Sequence, residues 1–316
     1  MLGYMINRLA QLLIVLFVVS VVIFTLFRVL IPGDPALAML GVEYTEESYQ
    51  ALKQEMGLDK PLVVQYAQWI SGTVRGDLGI SISDHRPVNQ LVLKRLSVTI
   101  TLATVAMIIS SIAAIFISML TAYYRNSWID YVGRTLSMSG ICMPTQWLGI
   151  LLMLIVAVYW RLLPSGGYVP LSEGAESIPY LVLPVATLAL QQTAILIRFL
   201  RSNILDVLNE DFIRTARSKG LPERIVLFKH ALRNSIVAFV TLVGISFARM
   251  VGGMVIVERV FNIPGLGRLL VRAVANRDYP VVQACVLVAA GLYVVINLVV
   301  DLSYAWIDPR IRYGGR

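Results

Sequence analysis

The chain has 316 residues, 57% of them hydrophobic, and a mean hydropathy of +0.74. Soluble globular proteins are about 45–50% apolar, so this composition excludes an ordinary soluble protein. The net charge of +8 would suggest a nucleic acid partner in a soluble chain. Basic residues also flank membrane segments and set their orientation, and we therefore expect no nucleic acid partner.

Six stretches are long and apolar enough to cross a bilayer, which takes about 20 residues. One of them, residues 234–257, is interrupted only by Arg249. The other five contain no Asp, Glu, Lys or Arg and are residues 9–27, 96–124, 135–160, 177–197 and 279–300. Lipid offers no partner to unpaired backbone groups, and no alternating strand pattern is present. We therefore predict an all-α integral membrane protein with six transmembrane helices.

The distribution of basic residues predicts that both termini are cytosolic. Residues 198–233 hold eight basic and four acidic side chains, an excess that is typical of cytosolic loops. The loop after the fifth span departs from this rule, because six spans place four of its arginines outside. These are Arg259, Arg268, Arg272 and Arg277. We interpret the first span as an uncleaved anchor, since its apolar run is too long for a typical signal peptide.

The spans divide the chain into three regions. Residues 1–31 hold the N-terminus and the first transmembrane helix, and residues 32–95 form an extracytosolic helical segment. Residues 96–316 form a five-helix transmembrane core with a cytosolic docking loop, residues 201–233. The last region carries the features that predict function.

The extracytosolic segment has helix signals of its own. Thr45 before two glutamates is typical of a helix start, and Gly57 suits the stop that follows. A second helix is predicted over residues 62–74, where Tyr66 and Trp69 recur at helical spacing. We expect these aromatic side chains to pack on the membrane-facing surface.

Prolines predict irregularities in two spans. Pro144 lies inside the third span and predicts a kink, because proline removes a backbone hydrogen bond and its ring clashes with the preceding turn. Pro179 and Pro184 lie early in the fourth span and predict a delayed helix start.

The segment between the fourth and fifth spans is amphipathic. Apolar residues recur every three or four positions over residues 203–219, with charged residues at most of the others, which predicts one short amphipathic helix. Gly220 stands where a left-handed residue ends a helix, and Pro222 prevents its continuation. A new helix is predicted to begin at Glu223 and to run into the fifth span.

Three functions fit such a segment. It is a surface helix on lipid head groups, a hinge in a secondary transporter, or a docking helix that fits a groove on a cytosolic partner. A rigid helix–Gly–Pro–helix unit joined directly to a span favours docking, because movement of the partner would rotate the span.

The same residues resemble the docking motif of ABC importer permeases, and most closely that of the dipeptide/oligopeptide/nickel transport family. The motif is Arg214-Thr215-Ala216-Arg217-Ser218-Lys219-Gly220-Leu221, followed by His230-Ala231-Leu232-Arg233-Asn234. The general motif begins Glu-Ala-Ala and ends Ile-x-Leu-Pro, and the departures here match the peptide branch. The resemblance assigns ATPase docking to Asp211, Phe212, Arg214, Thr215, Ala216, Arg217, Lys219, Gly220 and Leu221.

Further blocks extend the resemblance over the whole chain. They are Ile31-Pro32-Gly33-Asp34-Pro35-Ala36, Met56-Gly57-Leu58-Asp59-Lys60-Pro61-Leu62, Arg75-Gly76-Asp77-Leu78-Gly79, Phe261-Asn262-Ile263-Pro264-Gly265-Leu266-Gly267-Arg268, Asn276-Arg277-Asp278-Tyr279-Pro280-Val281-Val282-Gln283 and Asp308-Pro309-Arg310-Ile311-Arg312. So many separated blocks do not match one family by chance.

The resemblance implies the type I importer fold and a set of partners. An extracytosolic substrate-binding protein would deliver solute to a dimer of two different permeases in the bacterial inner membrane, and two cytosolic P-loop ATPases would drive transport. The solute would be a di- or oligopeptide or a peptide-like molecule, with nickel, a metallophore, an opine or glutathione as alternatives.

The chain itself is predicted to be no enzyme. None of its five lysines follows a glycine, so it lacks the Gly-Lys-[Ser/Thr] of a P-loop. We expect no cofactor in this chain, with ATP and Mg²⁺ on partner subunits. With two histidines and two cysteines in the whole chain, we expect no metal or catalytic site either.

Arg249 is the strongest candidate for the solute path, because a charge in a span is costly unless it has a function. We hypothesise that it faces the pathway, with Ser246 and Gly253 on the same broad face, and attracts a solute carboxylate. The alternative is an ion pair with Glu258 or with a carboxylate of the partner permease. Gly244, Ala248 and Gly252 form a stripe suited to close helix packing.

Gln191 and Gln192 in the fourth span could line the same route, although a polar contact between helices fits equally. The leading alternative in another class is a secondary transporter that needs no partner. It predicts carboxylates in the middle of the spans for ion coupling, and the spans lack them.

Overall fold

The computed structural model describes residues 2–30, 35–40, 44–55 and 57–307. The predicted blocks at residues 31–36, 56–62 and 308–312 therefore lie partly or wholly outside the described residues. The chain forms two compact units, Met1–Val98 with Pro264–Val294 and Thr99–Ile263 with Val295–Arg316. The described parts of both units are built from helices.

Among the described residues, five helical stretches are long and apolar enough to cross a membrane: Arg8–Arg28, Val88–Tyr123, Leu171–Val207, Glu223–Gly253 and Tyr279–Val300. A bent pair, Trp128–Cys142 with Thr145–Tyr159, passes the same test as a unit. Counted as one broken span, this pair brings the number to six. The fold class predicted from the apolar stretches is confirmed.

The first unit begins with α1 (Leu2–Thr25), which continues as a π-helical turn, Leu26–Leu30. Three short helices follow: α2 (Pro35–Leu40), α3 (Glu46–Glu55) and α4 (Leu62–Val74). The Thr45 hydroxyl accepts a hydrogen bond from the Ser48 backbone N–H at 3.2 Å, as expected of a helix start. Gly57 has φ +63°, so the predicted stop is also confirmed.

Helix α4 packs on α1 through its aromatic side chains. The Tyr66 hydroxyl lies 2.7 Å from the Ser20 hydroxyl, and the ring centroids of Tyr66 and Phe24 are 5.4 Å apart. The Trp69 ring lies 5.9 Å from that of Phe24. Tyr66 and Trp69, which we expected to pack on the membrane-facing surface, therefore pack against the first span.

The remainder of the first unit comprises the start of α5 (Val88–Tyr123), α13 (Leu266–Ala275) and the first part of α14 (Tyr279–Ile307). Asp278 is buried just before α14 and accepts hydrogen bonds from the Ser81 hydroxyl at 2.5 Å and from two backbone N–H groups, those of Ile82 and Ser83, at 3.2 Å each. These bonds join residues that are far apart in the sequence. An apolar core lies beneath them and includes Val88, Val92, Leu266, Leu269, Val281 and Cys285.

In the second unit the third span is broken. Helix α6 (Trp128–Cys142) and α7 (Thr145–Leu152), which continues as the π-helical segment Met153–Tyr159, meet at an angle of 106°. Pro144 stands at the break, so the predicted kink is confirmed and is much sharper than proline alone imposes. Gln191 donates to the carbonyl of Met143 at 3.3 Å and accepts from the Thr145 hydroxyl at 2.6 Å.

The fourth span is α8 (Ile178–Val207), preceded by a 3₁₀ segment, Leu171–Ser177. The prediction of a delayed start is wrong. Pro179 lies in the first turn, where no backbone N–H is needed, and Pro184 is accommodated inside the helix. The remaining helices of this unit are α9 (Asp211–Ser218), α10 (Glu223–Ile225), α11 (Leu232–Gly253) and α12 (Val255–Val260), with a π-helical segment, Val226–Ala231, between α10 and α11.

Helix α6 is held closely against α5 and α8. A Cβ added at Gly133 would lie 2.5 Å from the Thr121 side chain, and one at Gly140 would lie 2.9 Å from that of Ala194. At the same end, Arg201 on α8 donates from Nε and Nη2 to the two carboxylate oxygens of Asp130 at 2.8 and 2.7 Å. The Asp130 side chain is only 1% exposed. This two-bond ion pair fixes the start of α6 to α8.

We expect Asp130→Asn to destabilise the fold by about 3 kcal/mol or more, because it leaves the largely buried Arg201 guanidinium, 15% exposed, without its counter-ion. The measurement is thermal unfolding of the purified chain in mild detergent. Asp211→Asn is the matched control, since its ion pair with Arg214 has side chains 93% and 73% exposed and contributes about 0–1 kcal/mol. Equal unfolding temperatures for the two variants would contradict the structural role of Asp130.

Candidate functional site

The docking segment is a separate helix rather than one continuous helix over residues 203–219. Helix α8 ends at Val207 and α9 begins at Asp211, so the prediction of a single helix is wrong. The Asn209 side chain donates to the carbonyl of Leu205 at 3.1 Å, and Glu210 has extended backbone angles. Asn favours helix ends because its side chain bonds locally to the backbone.

Helix α9 has one buried face and one charged face. Ile213 and Ala216 are buried, and α9 packs against the Val226–Ala231 segment. The predicted docking residues on the other face are exposed: Asp211, Phe212, Arg214, Thr215, Arg217 and Lys219. An aromatic ring among charged groups on a fixed helix is suited to binding a protein partner.

Residues 219–222 form the turn between α9 and α10, which we call the elbow, and its geometry depends on Gly220. Its φ is +75°, and a Cβ at this position would meet no atom within 4 Å. Glycine is therefore required by the backbone conformation and not by space. The N–H of Leu221, which is half-buried, bonds to the carbonyl of Ala216 at 3.4 Å, closing the helix end as predicted.

An ion pair spans the elbow. Arg217 donates from Nη2 and Nε to the carboxylate of Glu223 at 2.7 and 3.2 Å, on the far side of Pro222. The hydrogen bond that Arg217 donates to the Glu223 carboxylate raises the pKa of Arg217. Both side chains are exposed, so the pair fixes geometry more than it adds stability.

The elbow leads directly into the fifth span, as predicted. Helical structure is continuous over Glu223–Gly253, which is 31 residues long. The first part includes the π-helical segment Val226–Ala231, which no sequence signal revealed. The elbow therefore joins α9 to one uninterrupted helical stretch.

Arg249 lies exposed on the fifth span. Within the part of the chain that the structure describes, its guanidinium has no hydrogen-bond or ion-pair partner. Gly253 shares this open face, since an added Cβ would meet no atom within 4 Å. Ser246 does not share it, because its side chain is buried against the rest of the chain.

The intrachain alternative for Arg249 is not realised. Glu258 is fully buried and accepts a hydrogen bond from the Thr99 hydroxyl at 2.6 Å. A Cβ at Gly244 would overlap the side chain of Val300, and Ala248 is buried. The predicted small-residue stripe therefore packs at these two positions, whereas Gly252 lies open.

The two glutamines of the fourth span lie in different environments. Gln191 bonds to Thr145 and Met143 at the broken span, which is the polar helix contact considered as its alternative role. Gln192 is buried, and its side-chain nitrogen has no hydrogen-bond partner among the described residues. The structure thus brings Arg249 and Gly253 together but not the whole predicted pathway set.

Sequence reasoning missed two contacts of the second unit. The N–H of Gly167 bonds to the carbonyl of Phe261 at 2.8 Å, and a Cβ at Gly166 would lie 2.6 Å from the same oxygen. The paired glycines were the available signal for this close approach. Asp130 and Arg201 were missed because both lie just outside the charge-free stretches.

Comparison with known proteins assigns the family. The chain matches "Binding-protein-dependent transport system inner membrane component" over residues 114–313 and the N-terminal region of such components over residues 1–103. A crystal structure of an amino acid ABC transporter with histidines matches 68% of this chain and 94% of its own, with a TM-score of 0.52 and 17% identity. That likeness supports the fold alone.

Curated relatives cover nearly the whole chain. The probable peptide ABC transporter permease protein y4tP of Sinorhizobium fredii is 42% identical over 98% of this chain and 99% of its own length. The glutathione transport system permease protein GsiC of Escherichia coli is 42% identical over 99% of this chain and 100% of its own. A putative peptide transport system permease protein of Brucella abortus is 41% identical over the same shares. The chain therefore belongs to the family of binding-protein-dependent transport system inner membrane components, the multi-pass ABC importer permeases that its docking motif predicted.

Proposed function

We propose that this permease imports di- or oligopeptides or a peptide-like solute such as glutathione. The support is that relatives of nearly equal length are named as peptide and glutathione permeases. The chain forms half of the translocation path, and a second, homologous permease forms the other half. An extracytosolic binding protein delivers the solute.

Two cytosolic P-loop ATPases supply the energy, and they bind ATP and Mg²⁺ in place of this chain. The sequence supports this division because it has no Gly-Lys-[Ser/Thr]. Cytosolic termini put α9 on the side where such ATPases act.

The observation that carries the docking proposal is the exposed face of α9 on a fixed elbow. Ile213 and Ala216 form the buried face of α9. Gly220 sets the direction of the chain after α9 through its positive φ. The Arg217–Glu223 ion pair connects α9 to the helix that follows. Because the helix of the fifth span begins at Glu223, displacement of α9 turns the span instead of bending a loop.

We expect Phe212→Asp to reduce recovery of the ATPase with the tagged permease by roughly tenfold or more, because a charge replaces an apolar anchor of the contact. The measurement is co-purification of a P-loop ATPase from native membranes under mild extraction. Leu162→Asp is the matched control, because Leu162 is an exposed apolar side chain outside the docking segment, 69% exposed against 44% for Phe212.

Gly220→Pro tests the elbow in the same assay. Proline cannot adopt a positive φ, so α9 loses its orientation and the ATPase is lost from a chain that remains folded. If no ATPase accompanies the wild-type chain, the docking proposal fails, and transport by this chain alone becomes the working hypothesis.

A second proposal concerns Arg249, which we place on the solute path, where it attracts a solute carboxylate. An unpaired cation in a span is costly in lipid, and no described residue of this chain compensates it. Water in the pathway, or a carboxylate across it, removes that cost.

We expect Arg249→Met to slow uptake of a dipeptide with a free C-terminal carboxylate by roughly tenfold relative to the same dipeptide amidated, the size of one charged hydrogen-bond contact. Uptake into proteoliposomes holding the complete importer is the measurement, and Arg249→Lys is the charge-retaining control. Equal slowing of both dipeptides would show that Arg249 supports the structure rather than the solute.

A further inference from the structure

An open apolar groove of about 440 Å³ lies in the second unit, at the end of α5 nearest the elbow. We call it the interfacial groove. Its lining residues are Ile112, Ile115, Phe116, Met119, Leu120, Tyr123, Tyr124, Arg224 and Phe228. The volume falls within the range of about 300–1,000 Å³ that is typical of small-molecule sites.

The floor of the interfacial groove is a stripe on a membrane-spanning helix. Ile112, Phe116 and Leu120 recur every four residues on α5, and Ile112 and Phe116 are 64% and 69% exposed. Phe228 contributes from the segment after the elbow and is also exposed. The floor can therefore hold a hydrocarbon chain.

Toward the elbow, the lining of the groove includes two tyrosines and an arginine. Tyr123 and Tyr124 lie edge to face there, with ring centroids 5.0 Å apart, and tyrosine is typical of the membrane–water interface. The Arg224 guanidinium has no hydrogen-bond or ion-pair partner among the described residues. The neighbouring carboxylate of Glu223 is already engaged by Arg217.

We propose that the interfacial groove binds one acyl chain of an anionic phospholipid, with the lipid phosphate on Arg224. Charge complementarity selects this occupant, because the lining includes an arginine and no acidic residue. Arg125 directly follows the lining residue Tyr124, and Lys229 directly follows Phe228. These two flanking charges are positive, and the one flanking carboxylate, that of Glu223, is paired with Arg217. An apolar trough whose lining includes tyrosines and an arginine is suited to the hydrocarbon chain and the phosphate of an anionic lipid.

The proposed site adds a lipid contact to the segment that carries the docking helix. Arg224 lies in the first turn after Pro222, at the start of the helical stretch of the fifth span. A lipid held there contacts both the apolar stripe on α5 and the turn that carries Arg224, and it limits the movement of that turn. This inference concerns the membrane side of the elbow and does not depend on which ATPase binds α9.

The test is native mass spectrometry of the full chain with its co-purified subunits in mild detergent. The probes are phosphatidylglycerol and phosphatidylethanolamine with identical acyl chains. We expect the wild-type chain to retain roughly five times as much phosphatidylglycerol as phosphatidylethanolamine, because one interfacial cation confers a preference of about this size. Arg224→Gln should abolish this preference, and Arg198→Gln, which removes an exposed arginine outside the groove, should preserve it.

A second variant separates the groove from its charge. Ile112→Trp fills the trough from a lining position that is 64% exposed, and we expect it to lower retention of both lipids without changing the unfolding temperature by more than a few degrees. No preference in wild type, or a preference that survives Arg224→Gln, would overturn the proposal. Disulfide capture of Phe116→Cys by the second permease would also overturn it, since the groove would then be a protein interface.

Discussion

A peptide group inside a bilayer finds no water to bond, and the whole architecture depends on this constraint. It forces every crossing segment into a helix and makes each interruption costly. The break at Pro144 is the severest interruption, and Gln191 compensates it by bonding the Met143 carbonyl and the Thr145 hydroxyl. Ser110 and Thr187 likewise return their hydroxyls to helix carbonyls four residues earlier. Polar side chains in these spans act first as substitutes for water.

The same constraint separates structural charges from functional ones. Asp130 and Arg201 satisfy each other with two short bonds, so their burial is compensated within the chain. Arg249 has no such compensation among the described residues, and its open neighbour Gly253 leaves the surrounding face uncovered. A charge that the chain pairs internally is explained by folding alone. A charge that it leaves exposed in a span requires a partner, a solute or water to explain it.

Features that follow from local chemistry were predictable from the sequence. The charge-free stretches located the spans, and Gly57 and Gly220 marked helix ends because only a left-handed residue fits there. Features that depend on tertiary contacts were not predictable. The amphipathic pattern runs without interruption across residues 207–211, so periodicity did not reveal the turn between α8 and α9. Pro144 predicted a kink in the third span, but the hydrogen bonds that Gln191 supplies at the 106° break come from another helix. No pattern within the third span could show them.

The turn between α8 and α9 changes how the docking segment works. A single helix over residues 203–219 would make α9 an extension of the fourth span and would pass force to α8. The turn separates the two, and α9 instead packs on the Val226–Ala231 segment, at the base of the fifth span. The π-helical geometry there adds a residue to the turn, which is common at functional sites in helices. In the docking mechanism that we propose, force on α9 passes to α11, the helix that carries Arg249, while the Asp130–Arg201 pair holds the end of α8 against α6. Helix α11 also packs on α8, so in the proposed mechanism α11 moves against a neighbour that the Asp130–Arg201 pair fixes to α6.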